Sequence, residues 1–457
     1  MKLRPLPLDL PKEGDNGSDD DNSVTQENAA TSDENSEGDK SPPAKVTEPL
    51  LSPKDDFSVS FRTVRIGGRS FKVTSIITHL NICLYATCFW IQIGALPYLT
   101  KKLGLDPVFF GYLQTTFAVV QLCGGPLFGR FGDIYGARAA MVLAFVSASL
   151  SYSILGFADS TFLLFLSRFP SVFMHAMQAG QMVITDTTES RSRAEAMGFL
   201  GLSYGIGMVV GPFVGGLITK GFDEQHAAFV ACAGSFASIA LSLYFIPSVT
   251  KKTKAETKST SQIFNLSRLL AVVKHPDAIS LLIVKFISGI PIGVFQSMFA
   301  VIAMDTFKLA PDENGFLMSY VGVLTMITQG IGIGFLAKRT TEFGSIKLGA
   351  FILIWTYILL SFVSTVWQLC VVLIPLCMGL TLMNVVISSA LTNTVPESDT
   401  GTILGVNMAV NSLIRSMSPT IGGIMFNHIG FASFGYLGTV GSVLTTLFLL
   451  SRNRKAT

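Results

Sequence analysis

Residues 198–216 read GFLGLSYGIGMVVGPFVGG. The stretch holds seven glycines, one proline and no charge. Glycine inside a helix costs about 0.5–1 kcal/mol relative to alanine. A helix this rich in glycine therefore gains its stability from backbones brought close, as in lipid-embedded bundles. Gly205-Ile206-Gly207, and the string from Gly330 to Gly334, lie within apolar helical runs with no strand before them, which excludes a dinucleotide loop. An offset of 207 residues leads to GVNMAVNSLIRSMSPTIGG at 405–423. Gly405, Pro419, Gly422 and Gly423 match Gly198, Pro212, Gly215 and Gly216. Ile414 and Ser418 replace Gly207 and Gly211.

Working outward, the 457 residues are 49% hydrophobic and only 14% charged, against about 25% in soluble domains. Runs of transmembrane length fall near 73–98, 108–128, 138–158, 161–185, 197–219 and 227–247. After a polar stretch they resume near 278–303, 314–336, 347–367, 369–394, 402–425 and 432–450. The fold class is an all-α membrane protein of about twelve spans. An even number of spans places both termini on one side. Beyond residue 60, twenty Lys and Arg fall just before the first span, in even-numbered loops or in the C-terminal tail, against Lys101, Lys102, Lys220 and Lys308 in the opposite loops. This bias predicts cytosolic termini.

The chain divides into an acidic tail, two sets of six spans and the linker between them. Residues 1–60 carry net −8 with no apolar run of signal-peptide length, so 1–72 reads as a disordered cytosolic tail with a basic juxtamembrane end. The halves are 73–247 and 278–450. In the linker 248–277, Ile263, Leu266, Leu270 and Val273 sit at helical spacing, which predicts an amphipathic helix on the membrane face. Residues 451–457 form a short cytosolic tail. The sequons at Asn16 and Asn265 are cytosolic and unused. The acidic tail is a possible docking segment for protein partners, and Glu48 to Ser52 faintly resembles an endolysosomal sorting signal.

The six cysteines lie inside apolar runs and read as small buried hydrophobes, neither a disulfide framework nor a metal site. No cofactor or metal is expected. The excess bases sit in short loops, so nucleic acid is not an expected partner. No nucleophile–base constellation points to an enzyme.

Two related six-span halves are the mark of a transporter whose site lies between them. Intramembrane ionisable groups are costly and therefore informative. Arg168 and His175 lie in the fourth span, seven apart and hence on one helical face, with Gln178 one turn on. Lys285 lies in the seventh span, about two turns from its start, where it can snorkel. Arg415 is in the eleventh span. His79 is a weaker candidate. Gln92, Gln296, Asn384 and Ser388 fall on the first, seventh and tenth spans. Substrate-binding or coupling candidates are thus Arg168, His175, Gln178, Lys285, Asn384 and Asp186. No Asp or Glu lies deep in any span, so the cavity is expected to be neutral or positive, favouring anionic, zwitterionic or weakly basic solutes. His175 and Asp186 are the candidate proton carriers.

After the second span, Gly129, Asp133, Gly136 and Arg138 resemble the loop signature of the major facilitator superfamily, with a weaker echo at Gly334 to Arg339. Gly198, Gly207, Gly211, Pro212, Gly215 and Gly216 match the drug/proton antiporter signature, and Arg168 sits where those proteins carry an intramembrane Arg. Residues 97–117, 181–186 and 398–402 resemble the organic cation transporter-like branch of solute carrier family 22. That family's long glycosylated first external loop is replaced by the short 100–107, which brings the chain closer to the antiporters. The resemblance implies a monomeric secondary transporter of an organic cation or drug, working by alternating access with proton antiport. It implies that the first, fourth, seventh and tenth spans line the cavity and that the eleventh, with Arg415, is peripheral to it. It also implies a plasma membrane, apical location, the endolysosomal membrane being the alternative. Asp133, paired with Arg138 or facing a helix end, would then close the cytosolic side in one conformer, and the glycine-rich helix would seal the cavity. A lipid-handling facilitator and a transport-inactive scaffold or regulator are the alternative functions.

Overall fold

A computed structural model describes residues 63–66, 69–189, 192–250, 276–337, 339–396 and 399–453. The acidic tail to residue 62, the amphipathic part of the linker and the last four residues lie outside them. A short hairpin, β1 (Thr63–Ile66) with β2 (Arg69–Lys72), leads directly into the bundle.

Six spans follow in the N-terminal half: α1 (Val73–Lys102), α2 (Pro107–Tyr135), α3 (Ala137–Gly156), a broken fourth span of α4 (Thr161–Leu166) and α5 (Ala176–Thr187), α6 (Arg193–Gly221) and α7 (Glu224–Phe245). The C-terminal half holds α8 (Pro276–Asp305), an eighth span of α9 (Pro311–Ile327) and α10 (Ile333–Ala337), then α11 (Glu342–Ser361), α12 (Val366–Thr392), α13 (Thr400–Ile429) and α14 (Ala432–Asn453). A π-helical turn, Thr328–Gly332, joins α9 to α10. Ten spans are long and apolar enough, taken alone, to cross a membrane. The other two are the broken fourth span and α13, whose apolar run is diluted by Asn407, Asn411 and Arg415.

All twelve expected spans are present, and most run a few residues beyond the apolar core. The reason is clearest in α2. The signature read as a loop is helical through Tyr135, and only Gly136, at φ +88°, breaks the chain before Ala137. Without a Cβ, glycine adopts that left-handed conformation at no steric cost. At the opposite end of the bundle, side chains cap exposed helix N–H groups. Asp106 accepts from the Phe109 N–H at 2.9 Å, and Asp223 from the His226 N–H at 2.7 Å.

The halves repeat each other's packing. α6 lies along α1, as α13 lies along α8, and α3 pairs with α7 as α11 pairs with α14. Between halves, α6 meets α9 and α13 meets α2. Both crossings are glycine contacts. A Cβ on Gly216 would strike the backbone of Pro311, and one on Gly423 that of Pro107. Gly315 abuts the Pro212 carbonyl and Gly111 that of Pro419.

These contacts lie toward the end of the bundle remote from the hairpin, here the far end. There too Lys101 pairs with Asp305 at 2.6 Å, Lys220 with Asp312 at 2.7 Å, and the Tyr98 hydroxyl donates to the Leu309 carbonyl at 2.8 Å. Toward the hairpin end the helices part. The hydrogen bonds between the halves run from the far end only as far as Ser319 to the Val209 carbonyl and Arg415 to Gln121, and beyond Gly205 and Met326 a Cβ at Gly198, Gly201, Gly330, Gly334 or Gly405 would meet nothing within 4 Å. The structure is closed at the far end and parted at the end that bears the termini.

Candidate solute site between the halves

The fourth span shapes the centre. Pro170 lacks an N–H and cannot continue an α-helix from the preceding turn. α4 stops at Leu166, Phe169–Phe173 form a 3-10 turn, and His175 leaves helical geometry at φ −113°, ψ 44°. Arg168 and His175 therefore do not share a helical face as their spacing suggested.

The break frees the Met174 carbonyl, which accepts from the Tyr85 hydroxyl at 3.2 Å and from Gln121 Nε2 at 3.1 Å. Irregular backbone at membrane depth is tolerated where it is buried in protein or lines a cavity. Gln121 Oε1 in turn accepts from Arg415 Nη2 at 3.3 Å, across the boundary between halves. One polar chain thus runs from α1 through the broken span and α2 to α13. Arg415 is exposed although it lies mid-helix. His175 Nε2 is buried without a hydrogen-bond partner, and the ring lies 5.2 Å from that of Phe128. Phe89 stacks on Tyr85 and tilts against Phe117, with centroids 6.3 and 5.9 Å apart. A guanidinium and an imidazole beside an aromatic wall suit a solute with one charged end and an apolar body.

The remaining candidates are dispersed. Arg168 is 1% exposed. Its Nε donates to Ser167 Oγ at 3.1 Å and its Nη1 to Gln92 Oε1 at 3.3 Å, while Nη2 has no partner. It braces α1 against the fourth span and does not join the Arg415 chain. Gln178 lies past the break, where a Cβ on Gly129 would come 3.4 Å from its Nε2. Asp186 is at the hairpin end and accepts from the Thr250 hydroxyl at 2.5 Å. His79 meets Ser203 Oγ at 3.2 Å. Gln296 and Asn384 are exposed. Lys285 is buried at 3% exposure and donates to Ser388 Oγ at 3.4 Å, so it does not snorkel.

In the signature after the second span, Asp133 is exposed and makes no hydrogen bond or ion pair with a described residue. Arg138 donates instead to the Leu243 carbonyl at 2.6 Å, so the expected Asp133–Arg138 pair is not formed in this conformer. In the glycine-rich helix, Gly207, Gly211 and Gly215 face the α1 backbone, Gly216 faces α9, and Gly198 faces open space.

Sequence reasoning missed Gln121, Tyr85 and the Met174 carbonyl, and it set Arg415 aside as peripheral. Two signals were available. Pro170 lies mid-span, and Arg415 is the charge inside the repeated segment.

Two related helical halves with a polar centre at their boundary define the class: a membrane transporter. The sequence profile of the Major Facilitator Superfamily matches residues 78–419 and 281–457, and the chain belongs to that superfamily. It is 37% identical to human solute carrier family 67 member A1, over 84% of this chain and 92% of that protein. It is 38% identical to mouse solute carrier family 22 member 18, over 82% and 94%. Multidrug resistance protein 2 of Bacillus subtilis matches at 25% identity, over 84% and 97%.

Proposed function

We propose that the chain is a secondary carrier that moves small organic anions across the membrane by alternating access, coupled to protons. One observation carries this reading: Arg415 stands exposed at the boundary of the halves, and among the described residues its hydrogen bond runs to the neutral Gln121. No carboxylate among the described residues lies deep in a span. A cavity for permanent cations needs a negative group to offset their charge, and an anion supplies the missing partner of Arg415. The organic cation or drug implied by the family resemblance fits this electrostatics poorly.

His175 is the proposed proton carrier, since imidazole is the side chain whose ordinary pKa lies nearest neutrality and its buried Nε2 has no hydrogen-bond partner in this conformer. Asp186 is eleven residues further along the chain and already hydrogen-bonded, which makes it a tie between segments. With the termini cytosolic, as the charge bias argues, the structure represents the cytosol-facing state.

The test is uptake into proteoliposomes with an internal pH dye, using matched anionic and cationic probes of equal apolar size. We expect the anion to be carried with proton movement, and Arg415→Ala to lower its uptake about tenfold or more, the scale of a lost charge-assisted hydrogen bond. Preference for the permanent cation would sink the reading.

A second reading has one observation in its favour. α6 packs on α9 as far as Gly205 against Met326, and beyond that point Gly198 and Gly201 of α6 and Gly330 and Gly334 of the eighth span face no neighbour, a glycine-lined flank suited to an amphiphile arriving from the bilayer. A lysolipid probe in the same assay separates the two, because only this reading expects it to be carried in preference to the water-soluble anion.

A further inference from the structure

Lys285 of α8 is a buried cation with no ion-pair partner. The ion pairs among described residues all involve other side chains. The one hydrogen bond of its ammonium runs to Ser388 Oγ of α12 at 3.4 Å, beyond the usual 2.7–3.2 Å for N–H···O. Ser388 has nothing more to offer. Its hydroxyl donates to the Asn384 carbonyl at 2.7 Å, and its oxygen also receives Asn407 Nδ2 of α13 at 3.2 Å. A hydroxyl has one proton and two lone pairs, and all three are engaged. Two bonds are left over. Lys285 has two N–H groups unspent, and Asn407, 6% exposed, has a buried Oδ1 without a partner. Asn384, one turn from Ser388, is exposed, so the cluster lies one helical turn from an accessible polar side chain.

Burying an unpaired cation and an amide with an unpaired oxygen around one hydroxyl is costly. The cost is recovered when one ligand satisfies both. We propose that Lys285, Asn407 and Ser388 form a second binding site, within the C-terminal half, for a carboxylate that bears a hydroxyl or amino donor beside it. The carboxylate accepts from Lys285, and the neighbouring O–H or N–H donates to Asn407 Oδ1. Asn407 and Arg415 lie eight residues apart on α13, about 12 Å along its axis. Asn407 is the nearer to the parted end, so an organic acid from that side meets Lys285 before Arg415. The inference rests on the reading of the chain as a carrier of organic anions and narrows its substrates to 2-hydroxy and 2-amino acids.

The test uses the full chain in lipid nanodiscs, with mandelate and phenylacetate as probes that differ by one hydroxyl. Titration calorimetry gives affinity and a thermal scan gives the midpoint of the empty protein. We expect wild type to bind mandelate about tenfold more tightly than phenylacetate. Lys285→Met should lose at least tenfold in affinity for both, yet melt at a higher temperature when empty, because an unpaired buried charge has gone. Asn407→Leu should bind both acids about equally. Asn407→Asp places a carboxylate beside Lys285 and should exclude both acids while keeping the protein folded. Wild-type affinity in Lys285→Met or Asn407→Asp, or retained preference in Asn407→Leu, overturns the site. If those variants also carry anions normally, the carrier reading stands without it. A wild-type chain that neither binds nor carries any organic acid brings down both.

Discussion

At the residue scale, the same residue type does different work according to what it faces. The antiporter signature treats its glycines as one set, but the structure separates them. A Cβ on Gly211 would lie 2.6 Å from Trp90 Cβ and 2.7 Å from the Thr87 carbonyl, and neither a backbone nor a Cβ can swing aside. Gly211→Ala should destabilise the chain by about 1–3 kcal/mol, the cost of overpacking, and lower its thermal midpoint. Gly198 faces open space in a helix, so Gly198→Ala should be neutral or stabilise by about 0.4–1 kcal/mol. Thermal scans of the two variants check this, and an equal loss in both would show that the signature acts as a unit. The difference was not legible in the sequence, because periodicity gives the face of a residue only relative to its own helix. The neighbour on that face is decided by the bundle. The same gap explains Arg415. Its charge was visible, but whether α13 turned it outward or toward Gln121 depended on how the halves meet.

At the element scale, the repeat explains what pattern reading caught and what it missed. Twelve apolar runs of span length specify twelve helices, because in lipid every backbone group must be bonded within its own segment. The second copy of the glycine helix departs at Ile414 and Ser418, and there the small residues stand on the partner helix. Gly207 and Gly211 on α6 admit the α1 backbone, whereas Gly289 and Gly293 on α8 admit Ile414 and Ser418 of α13. Close approach is kept, and which helix supplies it has switched. The broken fourth span was the misreading, since a run rich in Leu and Phe gives a helix signal that outweighs one Pro170.

The far-end contacts between elements yield a further prediction. Lys101–Asp305 and Lys220–Asp312 tie the two halves across the closed end. Asp305 and Asp312 are partly shielded, while both lysines are exposed. The Lys101 pair should contribute about 0.2–1 kcal/mol, and salt should weaken both pairs. Removing them together, as Lys101→Met with Lys220→Met, should move the carrier toward conformers open at the far end. A cysteine placed at Leu309, beside the Tyr98 contact, should then react faster with a membrane-impermeant maleimide added from the far side. An unchanged rate at low salt would show that glycine packing alone holds that end shut.

At the scale of the whole molecule, the two ends of the bundle are closed by different means, and this structure shows one of them engaged. Glycine contacts and ion pairs join the halves at the far end. At the parted end, Asp133 is exposed and Arg138 is bonded within its own half to Leu243. A carboxylate held by nothing at the open end gains a partner when that end closes, either the positive end of a facing helix or a cation of the other half. Asp133 therefore contributes little to the conformer seen here and much to its opposite. On that argument Asp133→Asn should leave the thermal midpoint of the parted state within about 0.5 kcal/mol of wild type, as for an unengaged surface residue, while slowing transport. Spin labels at Phe199 and Phe335, on the two spans that separate, report the gap directly. Wild type should show a second, shorter distance when substrate drives the cycle, and Asp133→Asn should keep the long one. Equal closure in both proteins would mean that Asp133 has no part in the gate and that the signature shared with the superfamily serves only the Gly136 turn.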